Sequence, residues 1–228
     1  MNFIAVRIIC LVVGYLFGMF ETAYFVGKAY GVDIRKQGSG NTGTTNTLRV
    51  LGKKAGLYVF LGDIFKTIFA VLICYFIFRE LFPDRIYLIK LYAGLGSVLG
   101  HNFPFYLKFK GGKGIAATSG MILSFHWMYV PVDLLLFFGT FALTNYVSLG
   151  SLILMAGFFI QTVIMGQLGV FTGFGGAVIP AEVLYEMYAV AFIISALGFI
   201  RHRSNIVKLA QGNERKTYLF KKNKEEIR

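Results

Sequence analysis

The chain has 228 residues, of which 56% are hydrophobic and only 15% are charged, and its mean hydropathy is +0.65. Soluble domains usually carry about a quarter charged residues, so the composition excludes an ordinary soluble protein and predicts a single membrane domain over residues 1–228. The net charge of +12 would suggest nucleic acid in a soluble chain, but the basic residues lie between apolar segments, so no nucleic-acid partner is expected.

The first two apolar segments both have the length of a membrane-spanning helix. Residues 4–26 are too long for a signal peptide and lack a small-residue cleavage site, which predicts a retained helix with its N-terminus outside. Residues 56–78 can cross a hydrocarbon core of about 30 Å. Asp63 and Lys66 share one face of this second helix, so they should pair or face a wet cavity, and an ion pair that braces the bundle near an interface is the favoured interpretation.

The remaining apolar segments complete a predicted set of about seven helices. Residues 86–100 contain three glycines that favour close helix packing: Gly94, Gly96 and Gly100. Residues 115–142 are too long for one upright helix, and two short helices meeting near Pro131 are predicted, because proline removes a helical hydrogen bond. Residues 147–165 and 183–200 are the last two spans.

The basic residues define the orientation of this all-α polytopic transmembrane bundle. Residues 28–54, 101–113 and 201–228 hold six, three and nine Lys and Arg, whereas residues 166–180 hold no charge. Cytoplasmic loops are enriched in Lys and Arg, so the three basic blocks and the C-terminus are predicted to be cytoplasmic. Residues 221–228 are expected to be a tail in solvent or against lipid headgroups, and the sequence carries no signal for an oligomeric state.

The first basic block contains a loop suited to an anion. Gly38, Ser39, Gly40 and Asn41 precede a helical-looking segment that contains Arg49. Glycines let backbone N–H groups approach an anion closely, and the start of a helix adds partial positive charge. The loop lacks the Gly-Lys-Ser/Thr ending of a Walker A motif.

The second and third basic blocks add further candidate ligands for phosphate. A Gly-Gly-Lys-Gly run opens the predicted helix at residue 115, and it consists of Gly111, Gly112, Lys113 and Gly114. Lysine binds phosphate as a compact charge. In the third block, His202 and Asn205 would share a helix face at the mouth of the bundle. The three blocks together predict a phosphate site on the cytoplasmic side.

In order and spacing, these three motifs resemble those of the bacterial acyl-phosphate:glycerol-3-phosphate acyltransferases, over nearly the whole chain. The resemblance implies a multi-pass enzyme of the cell inner (plasma) membrane with its active site on the cytoplasmic side. It also implies transfer of an acyl group from acyl phosphate to the 1-hydroxyl of glycerol 3-phosphate, giving lysophosphatidic acid and phosphate for phospholipid synthesis. Membrane lipid surrounds such an enzyme, and no cofactor or metal is implied.

The resemblance also implies roles for individual residues. The two glycine loops would hold the phosphate of the acyl phosphate through Gly38, Ser39, Gly40, Asn41, Gly111, Gly112, Lys113 and Gly114. Glycerol 3-phosphate would be held by Arg49, Lys113, Ser151, His202 and Asn205, and the catalytic residues would be Ser39, Arg49, Lys113 and His202. Asn145 stands where the family commonly has a basic residue.

Two other functions fit the sequence less well. An anion transporter would show polar residues in midplane helix breaks and inverted repeats, and neither is evident in the sequence. A CDP-alcohol phosphotransferase would need clustered aspartates to hold metal, whereas the four aspartates are scattered: Asp33, Asp63, Asp84 and Asp133. With no convincing Ser-His-Asp triad, the acyl phosphate's own oxygen is the expected acceptor of the hydroxyl proton.

Overall fold

A computed structural model describes residues 2–218, and within them the chain is helical without a β-strand. The α-helices are α1 (Phe3–Gly18), α2 (Thr22–Ala29), α3 (Thr44–Leu51), α4 (Lys53–Phe78), α5 (Ile86–Asn102), α6 (Ile115–Phe125), α7 (Tyr129–Leu134), α8 (Thr140–Thr144), α9 (Val147–Gln167), α10 (Ala181–Arg201) and α11 (Arg203–Ala210). A π-helical turn, Leu135–Gly139, joins α7 to α8, and single 3₁₀ turns cover Ile34–Lys36, Pro83–Arg85, Phe105–Leu107 and Phe174–Gly176.

Four segments are long and apolar enough to cross a membrane: Phe3–Ala29, Lys53–Phe78, Val147–Gln167 and Ala181–Arg201. Two shorter apolar helices cover Ile115–Phe125 and Tyr129–Thr144. The predicted all-α membrane architecture is therefore confirmed. The number of seven spans and the placement of the termini stay predictions, and the basic tail at residues 221–228 lies outside the described residues.

Helix α5 is the centre of the bundle. Fourteen of its 17 residues are buried, and α1, α4, α6 and α10 all pack against it. Close packing along α1 depends on glycine: a Cβ at Gly18 would lie 2.0 Å from the Ser97 carbonyl oxygen, and one at Gly96 would lie 2.3 Å from that of Leu11. Small residues allow helix backbones to approach in this way in membranes, so the packing predicted from the glycines of α5 is confirmed.

The first span is not the continuous helix that was expected. The helix breaks at residues 19–21, between α1 and α2. Side chains replace the lost helical hydrogen bonds, since the Lys66 ammonium donates to the Phe20 carbonyl (2.8 Å) and the Tyr106 hydroxyl donates to the Met19 carbonyl (2.8 Å). Backbone groups freed inside a membrane protein must find such partners, and here polar side chains from elsewhere in the bundle supply them.

The break within residues 115–142 lies N-terminal to its predicted position. It falls at residues 126–128, between α6 and α7, and Pro131 lies in the first turn of α7. Proline is tolerated there because the first N–H groups of a helix have no helical acceptor. The prediction of two short helices was correct, and the assignment of their junction to Pro131 was wrong.

The close contact between α1 and α5 predicts the effect of a side chain at its centre. Gly96→Val would force the two backbones apart, because the obstructing atoms belong to the backbone of Leu11. Overpacking of this kind costs about 1–3 kcal/mol or more. We expect a lower midpoint of thermal unfolding for the purified protein. Gly139→Ala is the control, since a Cβ there has its nearest neighbour at an ordinary 3.8 Å; equal midpoints for the two variants would contradict this packing.

Candidate functional site

A cavity of about 410 Å³ lies at the end of the bundle where several helices begin. The first residues of three of them line it, namely Thr44 of α3, Ile115 of α6 and Val147 of α9. Its charged lining side chains are Arg49, Asp63, Lys113, Lys208, Glu214 and Arg215. Cations therefore outnumber carboxylates around the cavity, and anionic ligands are favoured.

The structure brings most of the predicted site residues together. Those that line the cavity are Gly38, Ser39, Asn41, Arg49, Lys113, Gly114, Ser151, His202 and Asn205. Gly40, Gly111 and Gly112 do not line it. The N–H groups of Gly111 and Gly112 donate to the carbonyls of Asn102 (3.2 Å) and His101 (3.0 Å), so these amides are not free for an anion as the motif suggested.

Three helix starts at the cavity have no side-chain cap. They are those of α3, α6 and α9, whose N-cap positions are occupied by Gly43, Gly114 and Tyr146. The first N–H groups of a helix have no helical acceptor, and the helix dipole places partial positive charge beside them. Uncapped helix starts that line one cavity are suited to binding phosphate.

Asn46 shapes the first loop, and sequence reasoning had not singled it out. Its amide oxygen accepts from the Ser39 N–H (2.8 Å), and its amide nitrogen donates to the carbonyls of Ile34 (3.2 Å) and Gln37 (3.0 Å). Gly38 has a φ of +61°, and a Cβ there would lie 2.3 Å from the Asn46 oxygen. The sequence signal for this role is an amide side chain among the small residues of the motif, because a buried amide is uncommon.

The second loop is held from α10 and α11. The Arg201 guanidinium donates to the carbonyls of Gly111 (2.9 Å) and Gly112 (2.7 Å), and the Lys113 ammonium donates to the side-chain oxygen of Asn205. Burial lowers the pKa of Lys113 to about 8, and nearby cations act in the same direction against the opposing charge of Glu214. A bound phosphate would restore the preference of this lysine for its charged form.

The residues that follow α11 return across the cavity. The Glu214 carboxylate accepts from the Asn205 amide (2.8 Å) and the Ser148 hydroxyl (3.1 Å), and so connects α11 to the start of α9. The Arg49 guanidinium donates to the Thr217 hydroxyl (2.8 Å). Asn145, which stands where the family commonly has a basic residue, contributes through its backbone: its carbonyl accepts from the Thr217 N–H (2.9 Å).

His202 is fixed as a neutral acceptor. Its Nδ1 lies 2.8 Å from the Gly198 carbonyl, and because a carbonyl only accepts, Nδ1 carries the ring hydrogen. Burial, followed by the charge of Lys113, lowers the pKa of His202 to about 4. The Nε2 lone pair is therefore free to accept a hydroxyl hydrogen. The Ser151 hydroxyl, likewise, donates to the Val147 carbonyl (2.8 Å) and keeps its oxygen as an acceptor.

Fold and site together define an integral membrane protein with a cavity suited to anionic ligands at the ends of its helices. Residues 8–212 match the protein family described as glycerol-3-phosphate acyltransferase, and the chain belongs to that family of membrane acyltransferases. A glycerol-3-phosphate acyltransferase of Clostridioides difficile is 40% identical over 212 residues, covering 92% of this chain and 94% of that protein. One from Exiguobacterium sibiricum is 38% identical over 218 residues, covering 95% and 96%.

Solved structures agree with this membership. The chain is similar to the crystal structure of PlsY (YgiH), an integral membrane glycerol 3-phosphate acyltransferase, in its glycerol 3-phosphate form, with a TM-score of 0.75 and 32% identity over 93% of this chain and 96% of that one. The lysophosphatidic acid form of PlsY gives a TM-score of 0.73 at the same identity, covering 93% and 95%. The chain is thus an acyltransferase with a part in phospholipid synthesis.

The role of Asn46 predicts a defect in the first loop when its amide is removed. Asn46→Ala would leave the Ser39 N–H and two carbonyls without their partner, and each buried polar group left unpaired costs about 1–3 kcal/mol. We expect at least a tenfold fall in kcat/KM together with a lower unfolding midpoint. Gln167→Ala, which removes an exposed amide at the far end of α9, should match the wild type in both measurements.

Proposed function

We propose that this enzyme transfers an acyl group from acyl phosphate to the 1-hydroxyl of glycerol 3-phosphate and releases lysophosphatidic acid and phosphate. The observation that carries the proposal is one cavity lined by the uncapped starts of α3, α6 and α9 and by the cations Arg49 and Lys113. Its volume lies within the usual range for ligand sites, about 300–1,000 Å³. The PlsY structures in glycerol 3-phosphate and lysophosphatidic acid forms support the choice of acceptor and product.

The two substrates would occupy different parts of the cavity. The phosphate of the acyl phosphate is assigned to the Gly38–Asn41 loop and the start of α6, beside Ser39. The phosphate of glycerol 3-phosphate is assigned to Arg49 and Lys113, with Asn205 holding the lysine in place. Positioning two reactants in this way can supply roughly 7–11 kcal/mol of the barrier.

In the reaction, the 1-hydroxyl oxygen attacks the acyl carbonyl carbon, an ester C–O bond forms, and the bond from that carbon to the phosphate oxygen breaks. The hydroxyl proton leaves on the departing phosphate. His202 orients the hydroxyl through Nε2 but is a poor base, since its pKa of about 4 lies below the second pKa of about 6 of a phosphate monoester. Acyl phosphate is already activated, so no covalent enzyme intermediate is needed.

We also assign residues 1–228 to one membrane domain, with the cavity at the cytoplasmic side of the plasma membrane. Arg49, Lys113 and Arg201 come from the three separate basic blocks, and all lie at the cavity end of the bundle. The preference of Lys and Arg for cytoplasmic loops supports this orientation. It also places the site on the side of the membrane from which water-soluble glycerol 3-phosphate would enter.

Lys113 predicts how activity depends on pH. Its pKa of about 8 means that the free enzyme loses this cation as the pH rises through 8, and anion binding weakens. Because kcat/KM reports the ionisation of free enzyme, we expect kcat/KM to fall above pH 8. The Lys113→Arg variant should stay charged over the same pH range, so its remaining kcat/KM should not change with pH there. An unchanged alkaline fall in this variant would assign the titration to another group.

Conversion of labelled glycerol 3-phosphate to lysophosphatidic acid by the purified enzyme tests the proposed reaction. We expect product with acyl phosphate as donor and no loss of rate with a chelator, whereas a metal-dependent phosphotransferase would be inhibited and a transporter would form no product. Ser39→Ala and Arg49→Ala should fold and lose most turnover, because removing one strong donor costs about 10²–10³ in kcat. The control Lys110→Ala removes an exposed cation outside the cavity; near-normal rates in both site variants would defeat the assignment.

A further inference from the structure

A cluster of four ionisable side chains lies behind the cavity, and the proposed reaction gives it no task. Glu21, Asp63, Lys66 and His101 are each at most 6% exposed. They come from the broken first span, from α4 and from the end of α5. The predicted ion pair between Asp63 and Lys66 is present (2.8 Å), and Asp63 and His101 also line the cavity.

Lys66 fixes which nitrogen of the His101 ring carries hydrogen. An ammonium has three N–H donors, and Lys66 has three acceptors in reach: the Phe20 carbonyl (2.8 Å), Asp63 Oδ1 (2.8 Å) and His101 Nδ1 (3.0 Å). A hydrogen on Nδ1 of the neutral ring would face this ammonium, so the neutral ring carries it on Nε2. The imidazolium form also has a hydrogen on Nε2.

Gly112 leaves this Nε2 uncovered. Among the described residues, the polar contacts of the His101 ring all go through Nδ1. A Cβ on Gly112 would lie 2.1 Å from Nε2, although Gly112 has neither a left-handed φ nor a free N–H. The second glycine of the Gly-Gly-Lys-Gly run is therefore required for the space it leaves beside the imidazole. His101 itself lines the cavity, and Gly112 does not.

We infer that His101 is an additional phosphate-binding residue, which presents an Nε2 hydrogen to a phosphate oxygen in the cavity while Lys66 holds its ring in position through Nδ1. The donor lies next to Gly112 and thus close to Lys113 and the start of α6. The inference rests on the proposed function only in naming the substrate that carries the phosphate. The hydrogen-bond donor itself can be tested with inorganic phosphate.

The first test uses the wild-type protein and does not depend on how a variant folds. The chain has three histidines, so the ring nitrogens of ¹⁵N-histidine-labelled enzyme can be resolved and His101 assigned by its loss in His101→Gln. We expect its Nε2 to be protonated and its resonance to shift as inorganic phosphate is added. An unprotonated Nε2, or a protonated one that phosphate leaves unmoved, overturns the inference.

The second test compares two amides in place of the imidazole. Gln can place its N–H near the position of Nε2, whereas Asn reaches only the position of Nδ1. We expect His101→Gln to stay within a few fold of wild type and His101→Asn to lose roughly 10- to 100-fold in kcat/KM at a similar unfolding midpoint, as for a hydrogen bond to a charged group. Equal losses in both variants would indicate a structural role alone.

Separate KM values identify the bound phosphate. A rise confined to acyl phosphate assigns His101 to the donor substrate, and one confined to glycerol 3-phosphate assigns it to the acceptor. His126→Gln is the control, because His126 lies at the end of α6 away from the cavity. Failure of the proposed function would show as no lysophosphatidic acid from the wild type. Failure of this inference would leave the wild type active with an unresponsive His101.

Discussion

Satisfaction of backbone polar groups is the constraint on which this structure depends, because a bilayer offers no water to replace a missing partner. Most of the chain meets the constraint with helices. Where a helix is interrupted, as at residues 19–21, side chains such as Lys66 and Tyr106 take over the exposed carbonyls. The starts of α3 and α6 have no such side-chain cap. The first residues of both helices line one cavity, and phosphate is a ligand that can satisfy their unpaired N–H groups.

The same constraint explains how so many charges are accommodated. Asp63 and Lys66 are buried as an ion pair. In the second loop, Arg201 satisfies the carbonyls of Gly111 and Gly112, two residues that do not line the cavity. Arg49 and Lys113 have neutral partners in Thr217 and Asn205, so each retains positive charge for a ligand. Lys66 and Arg201 thus support the bundle, whereas Arg49 and Lys113 line the cavity and are available to a substrate.

Sequence reasoning recovered the elements that have a strong local signal. Apolar length gave the long helices, and the run from Gly38 to Arg49 correctly predicted a loop followed by a helix. Contacts between distant segments carry no such signal. Nothing local shows that the N–H groups of Gly111 and Gly112 are used by the end of α5, or that Asn46 organises the first loop. Pro131 was misleading because proline both breaks helices and begins them, and the local sequence does not decide which applies.

The two histidines of the cavity show how the fold assigns chemistry to identical side chains. His202 gives its ring hydrogen to a carbonyl of α10 and is left with an acceptor, whereas His101 faces an ammonium through Nδ1 and is left with a donor. A donor suits a phosphate, and an acceptor suits the hydroxyl that attacks. Neither imidazole needs to change its protonation state in order to play its role. It follows that the proton released by the hydroxyl has its natural destination on the substrate phosphate, and the enzyme contributes position and fixed charge.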